Sequence, residues 1–340
     1  MSHFQFSNFD YTGWDRPEHT VIADSNLRAE LYEKGHVSVP GFLSKDLIAQ
    51  FSDFYDKNHT ISVRNGGFFV SIYSKNIEYR TKTHEFLLGE LQESFNCIFQ
   101  NYKHTCLNYA VKYPGSESEL FVHQDMAQVD EYKFSQVGIW IPLVDVGLEN
   151  GTLGILPYSH LTVPPHRSLY HQLPYSNVYE QVFNRLQPLV LKAGDLFLFD
   201  TRLLHNSFVN SSNNARPSLA SSVVPKESEF TMTYRDETYA DDEFEHLVMK
   251  DDFFLQFQDF KSEKVGKPGN STGRFTTIKE SFVSETEFLA FCNHHHLPEN
   301  NLSAIKSQNG INSIQEPMHQ DVSSAKPTFI KRLKQLLLNS

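Results

Sequence analysis

"PLVLKAGDLFLFD" at 188–200 and "RLLHNSFVN" at 202–210 are two short β-rich runs in close succession, the first broken by a Gly-Asp turn signal. The same texture fills the surrounding chain: "CLNYAVKYPG" at 106–115, "LFVHQD" at 120–125, "QVGIWIPLVDV" at 136–146, "GTLGILPYS" at 151–159 and "PSLASSVVP" at 217–225. Strands of roughly five to eight residues separated by Gly, Pro, Asn and Asp predict an antiparallel sandwich or barrel rather than a parallel sheet. The fold class is therefore mainly β with helical decoration.

Outward from that block the texture changes. "SNLRAELYEKG" at 25–35 reads as a helix with Ser25 as N-cap and Gly35 at the left-handed C′ position. "HVSVPGF" reads as extended, and Ser44 caps a helix whose Leu47, Ile48, Phe51, Phe54 and Tyr55 form one apolar face. "GGFFVSIYS" at 66–74 reads as a strand and 84–100 as a further helix. "SETEFLAF" at 284–291 offers a capping box, Ser284 with Glu287. These readings divide the chain into N-terminal helices and leading strands (1–104), a β core (105–235), a C-terminal helical extension (236–297), a polar linker (298–327) and an amphipathic helix (328–340).

The 340 residues, 39% hydrophobic and 13% aromatic, are enough for one large decorated domain. A formal charge of −11 offers no basic field for a nucleic-acid backbone or an anionic membrane surface. Cys97, Cys106 and Cys292 are odd in number and widely spaced, which indicates neither a disulfide framework nor a zinc knuckle and fits a reducing, cytoplasmic setting. No stretch reaches the eighteen or so apolar residues of a membrane span. The expected partner is a small molecule, with homo-oligomerisation left open.

His-Gln-Asp occurs twice, at 123–125 and at 319–321. On a strand, side chains two apart share a face, so His-x-Asp makes a two-pronged metal clamp. The first copy lies in the β-rich block and is followed by His205, whereas the second lies in the polar linker with no histidine after it and reads as solvated. Two imidazoles and a carboxylate on one side of a metal form the facial triad of non-haem Fe(II) oxygenases, although the donor set alone also admits manganese, cobalt or zinc. Arg216 follows His205 by eleven residues. If the two runs form a hairpin, its guanidinium enters the same cavity as a planar fork for the carboxylate of a dicarboxylate cosubstrate. Ser207, two residues after His205, can add a hydroxyl.

At this point the chain resembles the phytanoyl-CoA dioxygenase family of Fe(II)/2-oxoglutarate-dependent oxygenases. The resemblance is carried by "GHVSVPGFLS" at 35–44, "HQD" at 123–125, "VGIWIPLVDVGLENGTLGILPYSH" at 137–160, "AGDLFLFDTRLLHNS" at 193–207 and Arg216, in order and over about 30–225. It implies a double-stranded β-helix (jelly-roll) core, with His123, Asp125 and His205 as iron ligands. Arg216 would pair with the distal carboxylate of 2-oxoglutarate, with Ser207 assisting. The implied reaction consumes O2 and 2-oxoglutarate, releases succinate and CO2, and usually hydroxylates a small organic substrate. Halogenating relatives carry Gly or Ala in place of the carboxylate ligand; Asp125 here points to an oxygenase. "PYSH" at 157–160 stands where many members have Pro-Gly-Ser-His.

Other residues have two readings. Trp140 would line the pocket or fill the core, and Asn108 would touch 2-oxoglutarate or serve as a satisfied strand amide. "CNHHH" at 292–296 reads as a solvated helix end, since adjacent histidines diverge on any regular element. His160, His166 and His171 fall in an insertion that reads as a substrate loop. The alternatives to hydroxylation are desaturation, epimerisation or cyclisation by the same chemistry. From other classes come a non-catalytic ligand-binding jelly roll and a zinc or manganese cupin-like enzyme.

Overall fold

A computed structural model of the chain describes residues 4–7, 9, 11, 14–59, 67–162, 173–234, 239, 243–256, 269–276 and 282–302. Helix α1 (Ser25–Lys34) is capped by Asp24, one residue before the expected Ser25; its carboxylate accepts from Asn26 N and Leu27 N at 2.8 and 2.9 Å. A charged acceptor suits the positive end of the helix better than a hydroxyl. Gly35 ends α1 at φ 83, and a Cβ there would lie 2.4 Å from His160 Nδ1, so both the turn and the close approach require glycine. Strand β1 (His36–Val39) follows, then α2 (Lys45–Asn58), capped by Ser44 as expected. In "GGFFVSIYS" the strand β2 (Gly67–Val70) gives way to a 3-10 turn at Ser71–Tyr73. Helix α3 (Ile77–Asn96) starts before residue 84 because the Asn76 side chain accepts from Tyr79 N at 3.0 Å.

The β block then supplies β3 (Tyr102–His104), β4 (Asn108–Tyr113), β5 (Leu120–His123), β6 (Val137–Pro142), β7 (Leu153–Ile155), β8 (Gln187–Pro188), β9 (Leu196–Asp200), β10 (His205–Ser207) and β11 (Arg216–Pro225), with helix α4 (Tyr179–Phe183) before β8. They form two antiparallel sheets, in the orders β1-β9-β6-β11-β4-β2 and β5-β10-β7-β8, with β3 added to β11. From β4 to β11 the chain alternates between the sheets except at β7 and β8, which are neighbours in the small sheet, and this two-sheet arrangement makes the core a jelly roll.

Parity along each strand separates two interiors. Val137, Ile139 and Ile141 of β6, with Tyr109, Val111, Leu196, Leu198 and Leu219, pack outward against Leu31, Phe51, Leu87, Leu91 and Phe95 of α1 to α3. The intervening Trp140, Phe197 and Phe199 turn into the barrel with Leu153 and Ile155 of the small sheet. The small sheet's outer side, Val122, Leu156 and Leu204, is covered by α4, by Phe6 and by α6 (Glu285–His294). Ser284 caps α6 as expected, its hydroxyl accepting from Glu287 N at 3.3 Å.

Two expectations are corrected. The 236–297 region is not purely helical: β13 (Glu243–Val248) pairs on one side with β12 (Thr231–Tyr234) and on the other with β14 (Asn270–Thr276) in a third sheet, which the region holds along with a short α5 (Phe253–Gln256). β10 and β11 do not form a hairpin, because the chain crosses between sheets there. The linker beyond 302, the helix at 328–340, His319, Asp321, His166 and His171 lie outside the described residues. Among the described residues no helix is long and apolar enough to cross a membrane, and the three cysteines carry no disulfide.

Lys112 sits opposite Arg216 in the β4–β11 ladder, fully buried. Its ammonium donates to the carbonyls of Ser207 at 3.0 Å, Phe208 at 2.7 Å and Ser118, tying β4 to the small sheet. Lys112→Met would leave these carbonyls without donors at a cost of roughly 1 to 3 kcal/mol each before relaxation, so urea unfolding is expected to show a loss of about 3 kcal/mol. An unchanged midpoint would mean that water takes over the role.

Candidate metal centre

His123 ends β5 and lies directly opposite His205 on β10, so the ladder alone brings the two imidazoles together, with ring centroids 4.2 Å apart. Each ring donates from Nδ1 to a backbone carbonyl two residues earlier, His123 to Phe121 at 2.8 Å and His205 to Leu203 at 2.9 Å. A carbonyl can only accept, so Nδ1 carries the proton and Nε2 keeps its lone pair. Asp125 Oδ1 is 3.6 Å from His123 Nε2 and 3.8 Å from His205 Nε2. Among the described residues these three are the group of potential ligands whose donor atoms all fall within 4.8 Å of one another. The donor set, two neutral imidazoles and one carboxylate, fits a divalent transition metal.

The route by which Asp125 arrives differs from the strand argument. β5 stops at His123, and Asp125 is held from outside the ladder by its backbone N–H, which donates to Thr201 O at 3.1 Å. The side chain of Asp125 is 38% exposed and that of His205 8%, so the cluster opens at the carboxylate.

Arg216 comes from the opposite sheet. It is 1% exposed, its Cζ lies 5.1 Å from the centre of the Trp140 ring, and its Nη1 donates to Ser218 Oγ at 3.3 Å. Its Nε is buried without a partner, and no carboxylate among the described residues pairs with it. Burial lowers the guanidinium to about 9, which leaves it charged at neutral pH. A buried cation with an unused planar donor fits a carboxylate ligand.

The remaining candidates are engaged differently. Trp140 packs in the inner cluster, donates from Nε1 to Ser218 Oγ at 3.0 Å and lies against Arg216. Asn108 donates its amide to Cys106 O at 3.2 Å and Ala220 O at 2.9 Å, while its Oδ1 stays buried without a partner. Ser207 donates to Gly151 O at 3.2 Å, and the ladder shifts register between His205 and Ser207, so period two does not carry over cleanly. His160 is a buried structural residue whose Nε2 donates to Tyr32 O at 3.1 Å. At the end of α6, His294 and His296 are exposed and His295 stacks on Tyr158 at 4.2 Å.

Sequence reasoning missed the residues behind the triad. Asp200 and Arg202 form a buried ion pair, with Arg202 Nε donating to Oδ1 at 2.8 Å and Nη2 to Oδ2 at 2.5 Å; His19 Nε2 adds a bond to Oδ2 at 2.9 Å. Burial by itself would raise the Asp200 carboxyl, yet the guanidinium and the bonds from Arg202 and His19 hold it well below the usual carboxylate range. The signal available was two opposite charges inside the apolar run "LFLFDTRLL" at 196–204.

Burial, reinforced by His123, lowers His205 to about 4, against about 6.5 in an unfolded chain. The native state therefore binds fewer protons between these values, and stability is lost as pH falls from about 6.5 to 4. In metal-free protein, urea titrations across this window are expected to show a pH slope that shrinks in His205→Gln by up to about 1.4 kcal/mol per pH unit. An identical slope in the variant would refute the assignment.

Comparison with known proteins bears on this geometry. The phytanoyl-CoA dioxygenase (PhyH) family model matches residues 31–218, more than half of the chain and the whole span from β1 to Ser218. Phytanoyl-CoA dioxygenase 1 of Oryza sativa subsp. japonica is 31% identical over 124 residues, 35% of this chain and 43% of that protein. The phytanoyl-CoA dioxygenase of Arabidopsis thaliana is 30% identical over 122 residues, 34% and 42% respectively. The chain thus aligns with less than half the length of these curated relatives. The epimerase SnoN, solved with Fe3+, alpha ketoglutarate and nogalamycin RO, superposes with a TM-score of 0.45 at 20% identity, covering 77% of this chain and 96% of that one. On the extent of the family match, the chain belongs to the phytanoyl-CoA dioxygenase family.

Proposed function

We propose that the protein is an Fe(II)- and 2-oxoglutarate-dependent oxygenase that hydroxylates a small organic substrate, with release of succinate and CO2. The observation that carries this reading is the combination, in one jelly roll, of a His123–Asp125–His205 donor cluster and a buried Arg216 lacking a carboxylate partner. Either feature alone has an ordinary structural explanation. Together they match two requirements of one reaction, a metal with open positions and an anchor for a dicarboxylate.

When bound, the iron and 2-oxoglutarate together supply the activation of O2 and the oxidising power. The chain's own residues hold and orient. His123 and His205 present Nε2 lone pairs because their Nδ1 protons are spent on Phe121 O and Leu203 O. Asp125 supplies the single carboxylate, which offsets part of the metal's charge and leaves the site open at the exposed side. Arg216 offers a fork to the distal carboxylate of 2-oxoglutarate, backed by the Trp140 ring. The apolar wall of Trp140, Phe197, Phe199 and Ile155 keeps water from that pairing, which strengthens it. Retention of Asp125 favours an oxygenase over a halogenase.

Succinate formed from 2-oxoglutarate in air, with and without Fe(II), tests the proposal. Asp125→Ala and His205→Ala are expected to abolish iron-dependent turnover. Arg216→Met is expected to raise KM for 2-oxoglutarate about 100-fold while iron affinity is kept, since it removes a charge-assisted bidentate contact and no metal ligand. Wild-type protein that binds neither iron nor 2-oxoglutarate in anaerobic titrations would sink the reading in favour of a different metal or a binding module.

A further inference from the structure

We infer that Asp200, through its ion pair with Arg202 and its bond from His19, is a positioning residue that holds the turn on which the metal ligands are mounted. The inference rests on the reading of the triad as a metal centre. Three successive carbonyls of the turn between β9 and β10 face the triad. Thr201 O accepts from Asp125 N at 3.1 Å, Arg202 O accepts from the Gln124 amide, and Leu203 O accepts from His205 Nδ1 at 2.9 Å. One peptide segment therefore sets the backbone of one ligand, the residue between two ligands, and the ring orientation of a third.

Such a segment must be rigid to be useful, and Asp200 supplies the constraint. Leu203 N donates to Asp200 O at 2.8 Å, closing the turn. Asp200 Oδ1 accepts from the backbone N–H of Arg202 at 2.9 Å as well as from its Nε, so the carboxylate clasps both the main chain and the side chain of the turn's second residue. Oδ2 is shared by Arg202 Nη2 and His19 Nε2, and the Trp14 ring lies 5.3 Å from the guanidinium. Asp200, Arg202 and His19 are 1%, 2% and 0% exposed. A buried ion pair is weak evidence for stability, because a packed apolar replacement is often as stable. A fixed geometry is what such a replacement would lose.

Anaerobic titration of the full chain with Co(II) alone, with its d–d absorption recorded at saturation and urea unfolding measured in parallel, tests this. Asp200→Asn is expected to weaken Co(II) binding 10- to 100-fold, the range seen when partners that orient metal ligands are removed, and to change the d–d bands. Because Asp200→Asn leaves Arg202 buried and uncompensated, the double variant Asp200→Asn/Arg202→Met, which removes both charges, and the peripheral His19→Leu keep the test open if the single variant fails to fold. Both are expected to show the same loss, and His19→Gln, which retains a donor for Oδ2, to restore most of it. Variants that unfold more readily but bind Co(II) with wild-type affinity and spectrum overturn the inference and leave the metal centre standing. Wild-type protein that binds no Co(II) overturns both.

Discussion

Burial of the main sheet on both faces is the constraint from which the site follows. Helices α1 to α3 cover one side through Leu31, Phe51 and Leu91, and the small sheet closes over the other through Leu153 and Ile155. A sheet covered twice has no wet face on which to leave a polar group unpartnered. Every charge that points into the barrel must therefore be satisfied by the protein or by something the protein binds. The same constraint dictates small residues where large ones meet: a Cβ on Gly138 would stand 2.4 Å from the Phe199 ring, which packs 5.0 Å from His205. The His123–Asp125–His205 cluster is thus wedged by the inner core as well as by hydrogen bonds.

Three buried cations show how differently the requirement is met. Lys112 gives its protons to three backbone carbonyls and serves as a clamp between strands. Arg202 is neutralised by Asp200 across two side-chain bonds and serves the turn behind the triad. Arg216 has a serine hydroxyl and an aromatic face, and its Nε is buried without a partner. All three are buried, and Arg216 differs from Arg202 in having no carboxylate partner among the described residues and from Lys112 in having a hydroxyl in place of three carbonyls.

Much of this was legible in the sequence because strands carry local information. Short β-rich runs such as "QVGIWIPLVDV", broken by Gly, Pro, Asn and Asp, marked a β core, and the order of His123, Asp125, His205 and Arg216 marked a candidate site. What was misread depended on relations that no single segment contains. Asp125 was assigned to a strand face, whereas β5 ends two residues earlier and a turn from 201 places it. Arg216 was linked to His205 by a hairpin, whereas a crossover between sheets puts the two on facing walls. The choice of Asp24 over Ser25 as a cap turned on a charge preference between neighbours. Strands β13 and β14 gave too little local contrast to stand out from a helical extension. His19, separated from Asp200 by 181 residues, could not be paired with it by any periodicity.

The arrangement also separates two demands that conflict. On the proposed reading, metal ligands must be held still and a bound metal must be reachable. The cluster meets both by grading burial across its members: the His205 side chain is 8% exposed, the His123 side chain 16% and the Asp125 side chain 38%. Rigidity enters from the buried side, through carbonyls of 201 to 203 whose own turn is clasped by Asp200. Access enters from the side of Asp125, whose backbone N–H is held by Thr201 O and whose side chain lies beyond the end of β5. Fixing the main chain rather than the side chain lets one ligand sit at the rim without loosening the other two, since a backbone bond to Thr201 O does not depend on where the carboxylate points. Loop residues set on a rigid sheet in this way combine precision with exposure, which a ligand embedded in the strand itself would lack.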